Sequence, residues 1–263
     1  MRIPYFQINA FTSSAFGGNP AGVCLLPSWL PDPALQSIAA ENDLSETAFL
    51  VRRGNVFELR WFTPAVEVDL CGHATLASAF ALFFEQGYRE KSIQFETKSG
   101  RLTASRRNLL VELDFPSRPP TPCPVPEKLL EGLGSKPAEV LRSRDYLAVF
   151  DSPAEVAALK PNFALLRELD TLGIIVTARD SQADFVSRFF APAAGIDEDP
   201  VTGSAHCTLI PFWSERLGKQ EMSAKQISKR GGELYCRLSG DRVGIAGNAV
   251  AYLRGEIEYA APL

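Results

Sequence analysis

The sequence predicts an α+β protein of two similar halves, each a curled, mainly antiparallel sheet around a central helix. Three observations predict it. The segment Phe57-Glu58-Leu59-Arg60-Trp61-Phe62-Thr63-Pro64-Ala65 returns as Phe185-Val186-Ser187-Arg188-Phe189-Phe190-Ala191-Pro192-Ala193, and both copies reach an aspartate, Asp69 or Asp197, at the same spacing. A glycine then opens a helical stretch at Gly72 or Gly203, and another closes it at the same distance, Gly87 or Gly218. Short strand-like runs separated by Gly, Pro and Asn turns fill most of the remaining chain. A period of about 130 residues is too long for a solenoid and marks two related halves.

In the first half, strand patterns cover Tyr5 to Phe11, Ala21 to Leu26, Thr47 to Val51, Val56 to Phe62, Ser92 to Thr97, Arg101 to Ser105 and Leu109 to Phe115. Two helices interrupt them. Asp32 to Glu41 carries Pro33, suited to a first helical turn, and His73 to Gln86 is apolar on nearly every side. A helix without a polar face is buried all round, hence a sheet curled about it. Residues 117–126 form a proline-rich linker between a first half, 1–116, and a second, 127–248. The second half repeats the plan with strands at Tyr146 to Phe150, Gly173 to Thr177, Phe185 to Phe190, Gln226 to Ser228, Leu234 to Leu238 and Val243 to Ala246. Its buried helix runs from Ser204 to Leu217. A last strand within 249–263 is expected to return to the first half.

The chain has 263 residues, 46% apolar and 22% charged, enough for a sizeable core in each half. Net charge of −4 and a pI near 5.4 argue against a nucleic-acid or anionic-membrane partner. The longest apolar run, Ala74 to Phe84, is too short to span a bilayer, and the N-terminus reads as a strand rather than a signal peptide. Five cysteines, an odd set without a Cys-x-x-Cys pair, fit free thiols in a reducing compartment, so a cytoplasmic location is expected. The two histidines fall in different halves and the cysteines do not cluster, so no metal is expected. No Gly-x-Gly-x-x-Gly follows a strand, which argues against a nucleotide fold.

Chemistry concentrates at the two glycine-led helix starts, Cys71-Gly72-His73-Ala74-Thr75 and Thr202-Gly203-Ser204-Ala205-His206. Small residues there leave backbone N–H groups open to a carboxylate or phosphate. Taken singly, each feature has a plainer reading: Thr202 or Ser204 as a cap, His73 as a structural hydrogen-bonding group, Asp199 as part of an Asp-Pro turn, Glu46 as a solvated glutamate. Two matched copies with polar first turns favour a function.

The runs Gly18-Asn19-Pro20, Leu44-Ser45-Glu46-Thr47-Ala48-Phe49, Cys71-Gly72-His73-Ala74-Thr75-Leu76 and Glu198-Asp199-Pro200-Val201-Thr202-Gly203-Ser204-Ala205 together resemble the PhzF-like family, named for an isomerase of phenazine biosynthesis. The resemblance covers essentially the whole chain. It implies the diaminopimelate-epimerase-like fold, with the site in the cleft between two pseudo-symmetric domains, and a cofactor-free isomerase. In the phenazine enzyme a glutamate moves a proton between carbons of trans-2,3-dihydro-3-hydroxyanthranilate, and Glu46 matches that general acid/base. His73 and Asp199 match residues that hold the substrate's polar groups. Ser204, with Gly72 and Gly203, matches the carboxylate pocket, and Asn19 is grouped with these substrate-binding residues. Relatives are often homodimers, which sets the expectation here.

Two other readings stay open. Diaminopimelate epimerases and proline racemases place a cysteine at each helix start. Cys71 stands at the first place, but Thr202-Gly203-Ser204 occupies the second and Cys207 lies a turn further on. Cys71 is then an idle remnant, or a reactive thiol of a racemase or epimerase with a non-thiol partner. The third reading is a non-catalytic module that binds a small acid.

Overall fold

The computed structural model describes residues 1–260; the last three positions of the expected 249–263 strand lie outside the described residues. The chain forms two compact units. One comprises Met1–Asp114 with the chain from Ala246 onward, the other Phe115–Ile245.

The first unit contains β1 (Arg2–Ala10), β2 (Asn19–Leu26), α1 (Asp32–Asn42), β3 (Glu46–Arg53), β4 (Val56–Phe62), β5 (Glu67–Val68), α2 (Gly72–Phe80), β6 (Ser92–Thr97), β7 (Gly100–Arg107) and β8 (Leu110–Pro116). The C-terminal strand Ala249–Glu258 pairs antiparallel with β1, which pairs antiparallel with β2. From there β2 and β3 are parallel, β3 and β4 antiparallel, β4 and β6 parallel, and β6, β7 and β8 antiparallel. Both faces of the central strands are covered, so β3 reads as an unbroken apolar run rather than an alternating one. On one side α1 sets Leu35, Ile38 and Ala39 against Ile3, Cys24, Leu26, Phe49, Val51 and Phe62. On the other, α2 packs against β1, β2, β3, β7 and the C-terminal strand.

Helix α2 is buried from His73 to Ala79. Its polar side chains there are satisfied locally: Thr75 Oγ1 donates to the Cys71 carbonyl (2.5 Å) and Ser78 Oγ to that of Ala74 (2.7 Å). The expected single helix over 73–86 changes character partway, since Ala81–Glu85 forms a π-helical turn before Gly87 reverses the chain at φ +65°.

The second unit contains β9 (Thr121–Pro122), α3 (Glu127–Leu133), β10 (Glu139–Arg142), β11 (Tyr146–Val149), α4 (Pro153–Ala158), α5 (Phe163–Leu166), β12 (Ile174–Arg179), β13 (Phe185–Phe190), α6 (Gly203–Leu217), β14 (Glu221–Gln226), β15 (Gly232–Ser239) and β16 (Arg242–Gly247). Its pairing repeats that of the first unit: β11 and β12 parallel, β12 and β13 antiparallel, β13 and β14 parallel, β14 and β15 antiparallel. The duplicated motif occupies the same place in each scheme, on β4 and on β13. Leu129, Leu133, Val156 and Leu166 from α3, α4 and α5 cover one face, packed with Ile174, Val176, Val186 and Phe190. These three helices run only seven, six and four residues and left no periodic stripe in the sequence.

Two sequence expectations shift here. The strand placed at Gln226 to Ser228 lies at Glu221–Gln226, where Met222, Ala224 and Gln226 are buried and a polar inward residue hides the pattern. The proline-rich stretch is pinned to the second unit: Ser117 N–H donates to the Asp241 carbonyl and β9 pairs with β10. It also repairs α6. Pro211 inside that helix has no N–H for the Cys207 carbonyl, and Arg118 N–H supplies the missing donor at 2.9 Å.

All five cysteines are free thiols. Among the described residues, no helix is long and apolar enough to cross a membrane.

Candidate active site

In the first unit the folding of three strand and helix starts gathers four side chains. Glu46 opens β3, Asn19 opens β2, and Cys71 and His73 flank the glycine that opens α2. His73 Nδ1 lies 3.2 Å from Asn19 Nδ2 and 3.5 Å from Cys71 Sγ; its Nε2 lies 3.0 Å from Glu46 Oε2. The histidine and glutamate side chains are only 6% and 12% exposed. The Glu46 contact is one of distance: Oε2 is buried yet accepts no aligned hydrogen bond among the described residues. Gly18 sets the entry to this corner. It adopts φ +64°, and a Cβ there would stand 2.1 Å from the Ala10 carbonyl oxygen, so only glycine turns the chain into Asn19.

The electrostatics follow from this packing. Burial opposes a charge on His73, but the negative charges of Cys71 and Glu46 outweigh it, and the imidazole titrates well above its usual range. Burial, reinforced by Glu46, pushes the Cys71 thiol up to about 11 despite His73. The groups titrate together, and acidic neighbours at Cys71 and Glu46 favour a proton on the imidazole. The arrangement is a buried glutamate–histidine pair with a thiol at its flank.

The second unit carries a different constellation. Thr202 precedes α6, but its hydroxyl donates to the Asp199 carboxylate instead of capping the helix. Gln226, buried at the end of β14, accepts from Thr202 N–H (2.8 Å) and donates to the Asp199 carbonyl (2.8 Å) and to Thr202 Oγ1 (3.2 Å). Arg188 grips the preceding residue, with Nε and Nη2 on the two oxygens of Glu198 at 2.7 and 3.0 Å. The Asp199–Ser204 loop is thus fixed from both sides. Neither helix start uses its own cap side chain on a first-turn N–H, as an anion-receiving terminus requires. Beside the α6 start, Arg144 Nη2 lies 3.3 Å from Ser204 Oγ and pairs with the buried Asp145.

His206 takes no part in this polar network beyond one bond, from Nδ1–H to the Thr202 carbonyl at 2.8 Å. Its Nε2 has no partner among the described residues, and burial lowers its pKa to about 4. It is a neutral core residue beside Phe185 and gives the second helix start no acid or base.

Sequence reasoning missed Gln226 and the two arginines. Gln226 carries no motif. The arginines stood inside the repeat itself, at the fourth position of each copy: Arg188 binds Glu198, and Arg60 binds Glu67 in the same bidentate manner at 2.7 and 2.8 Å. Each anchors the segment leading to a matched helix.

Two related units, each with a buried helix against a mixed sheet, have the diaminopimelate-epimerase-like fold. Over residues 8–255 the sequence matches the family model described as phenazine biosynthesis-like protein (PhzC–PhzF), and the chain belongs to that family. It is 52% identical over 262 residues to an uncharacterized isomerase of Halalkalibacterium halodurans, covering 98% of this chain and 99% of that one. A crystal structure of a phenazine biosynthesis PhzF-family protein from Enterococcus faecalis is similar with a TM-score of 0.96 and 45% identity, covering 98% of this chain and all of that one. A probable proline racemase of Agrobacterium radiobacter, 14% identical with a TM-score of 0.64 over 99% of this chain and 93% of its own, shares the fold.

Proposed function

We propose that the protein is a cofactor-independent isomerase of a small cyclic or amino carboxylic acid, with Glu46 moving a proton between two carbons. The reaction would be similar to that of trans-2,3-dihydro-3-hydroxyanthranilate isomerase. One observation carries this reading: Glu46 Oε2 is buried at 3.0 Å from His73 Nε2, yet accepts no aligned hydrogen bond among the described residues. A carboxylate so placed keeps a lone pair for a carbon-bound proton while the imidazolium balances its charge. Asn19 and Cys71 orient the ring of His73, which holds a polar group of the substrate. Asp199 is proposed to hold another such group, and Ser204 with the backbone of Gly72 and Gly203 to take the carboxylate.

A racemase using Cys71 is less well supported, because a thiol pushed up to about 11 is almost wholly protonated at neutral pH. The free thiols fit a reducing, cytoplasmic setting, and a homodimer belongs to the same proposal.

The test is proton NMR in D2O with a panel of small carboxylic acids that includes dihydro-3-hydroxyanthranilate and common amino acids. Deuterium is expected to enter one compound in the presence of the protein and not with Glu46→Gln. Exchange that survives in Glu46→Gln but not in Cys71→Ser would transfer the chemistry to the thiol. Saturable binding of a carboxylate without exchange anywhere in a broad panel would make the protein a binding module.

A further inference from the structure

Glu46, Cys71 and His73 come from positions too far apart in sequence to read as a ligand motif, yet the fold brings one ligand atom from each within 4.8 Å of the others. Among the described residues no other trio of His, Cys, Asp or Glu side chains does so. We propose that this trio is a binding site for a thiophilic divalent cation, Zn2+ in particular, and that the bound ion silences the protein by occupying Glu46. The binding stands on the geometry alone; the silencing rests on the proton-transfer reading of Glu46.

Two of the three distances approach those of a tetrahedral ion. With a sulfur ligand at about 2.3 Å, nitrogen at about 2.0–2.1 Å and a carboxylate oxygen at about 2.0–2.2 Å, sulfur and nitrogen stand about 3.6 Å apart and nitrogen and oxygen about 3.3–3.5 Å. Here His73 Nε2 lies 4.0 Å from Cys71 Sγ and 3.0 Å from Glu46 Oε2. Shifts of about half an ångström bring these two pairs into range, while Sγ, now nearer Nδ1 at 3.5 Å, has to swing further to face Nε2 and Oε2. Oε2 lies close to Nε2 but outside hydrogen-bond alignment, and an ion shared by the two atoms accounts for both facts. Asn19, 3.2 Å from Nδ1, then fixes the far side of the ring, the outer support that metal-bound histidines usually have. A thiolate, an imidazole and a carboxylate form a donor set selective for zinc over calcium or magnesium. Binding balances in protons: the ion takes Cys71 as thiolate, His73 as neutral imidazole and Glu46 as carboxylate, and every proton displaced from them passes to solvent.

Co2+ added to the reduced protein reports on the site directly, through the near-ultraviolet charge-transfer band of a cobalt–thiolate bond. One equivalent is expected to produce the band, Zn2+ to abolish it by displacement, and Cys71→Ser to lack it. Glu46→Gln is expected to weaken Co2+ binding on the order of 10–100-fold, and Cys123→Ser to leave it unchanged. Unchanged melting temperatures of the variants would show that the fold is intact. No band at one equivalent would overturn the proposal, as would a band that persists in Cys71→Ser and disappears in Cys123→Ser. The outcome is separable from the proposed function. A cobalt–thiolate band in a protein that, when metal-free, exchanges no substrate proton would sink the isomerase reading and leave the metal site standing.

Discussion

At the start of α2 the histidine follows the opening glycine directly; at the start of α6 it comes three residues after it. The small offset reverses its chemistry. His73 projects from the helix end to Asn19, Cys71 and Glu46, where negative neighbours raise its pKa. His206 has come round by most of a turn, donates back to the Thr202 carbonyl, and lies against Phe185 in the core, where burial lowers its pKa to about 4. Two related helix starts therefore carry different endowments. The first holds a buried glutamate–histidine pair beside a thiol, and the second a polar loop braced by Gln226 and Arg188.

The sharpest way to break that contrast is to remove Glu46. Glu46→Gln is expected to lower proton exchange by about 10²–10⁴-fold, measured as deuterium incorporation, while Cys71→Ser stays within about tenfold of the wild type. Equal losses in the two variants would mean that the thiol shares the chemistry.

The repeated arginines offer a second test. Arg188→Met strands Glu198 and removes donors from the Val156 and Leu159 carbonyls, with an expected loss of about 3–5 kcal/mol in urea unfolding. Arg60→Met is expected to lose only about 1–2 kcal/mol, because Lys98 remains beside Glu67. Similar losses at both sites would show that the two segments are braced alike.

Acid separates the histidines. With a folded pKa of about 4 against an ordinary 6.5, His206 is neutral in the fold but takes up a proton on unfolding. Its contribution is complete above pH 6.5 and falls as pH drops to about 4, by at most about 3 kcal/mol. His73 acts in the opposite sense: its raised pKa gives stability that is complete below pH 6.5 and is lost as pH rises through the folded value. Unfolding midpoints across this range, with His206→Ala beside the wild type, are expected to show the acid-sensitive part vanish in the variant.

A further local test is at Gly18. Gly18→Ala meets the Ala10 carbonyl at positive φ and is expected to cost about 2 kcal/mol while displacing Asn19 from His73. A thermal melt unchanged from the wild type would contradict that account of the turn.

Much of this architecture was legible because duplication writes the same sentence twice. The repeated Phe-x-x-Arg-x-Phe segment foretold β4 and β13, and the glycine pairs foretold α2 and α6 to within a residue at their starts. The short helices α3, α4 and α5 were hidden because so few turns leave no periodic stripe. Gln226 was hidden because a polar residue facing inward breaks the alternation that marks a strand. Motif resemblance singled out Glu46 and His73, but not their pairing at 3.0 Å, which depends on β3 and α2 meeting in space. The loss of Cys71 as a base was equally invisible, since it comes from burial rather than from any neighbour in sequence.

Because the protein has only two histidines, an NMR titration of their ring protons tests the central contrast directly. The account predicts one imidazole that stays charged through neutral pH and loses that charge in Glu46→Gln. It predicts a second that remains neutral down to about pH 4 in both proteins. Two histidines titrating together near their ordinary pKa, or a His73 indifferent to Glu46→Gln, would contradict it.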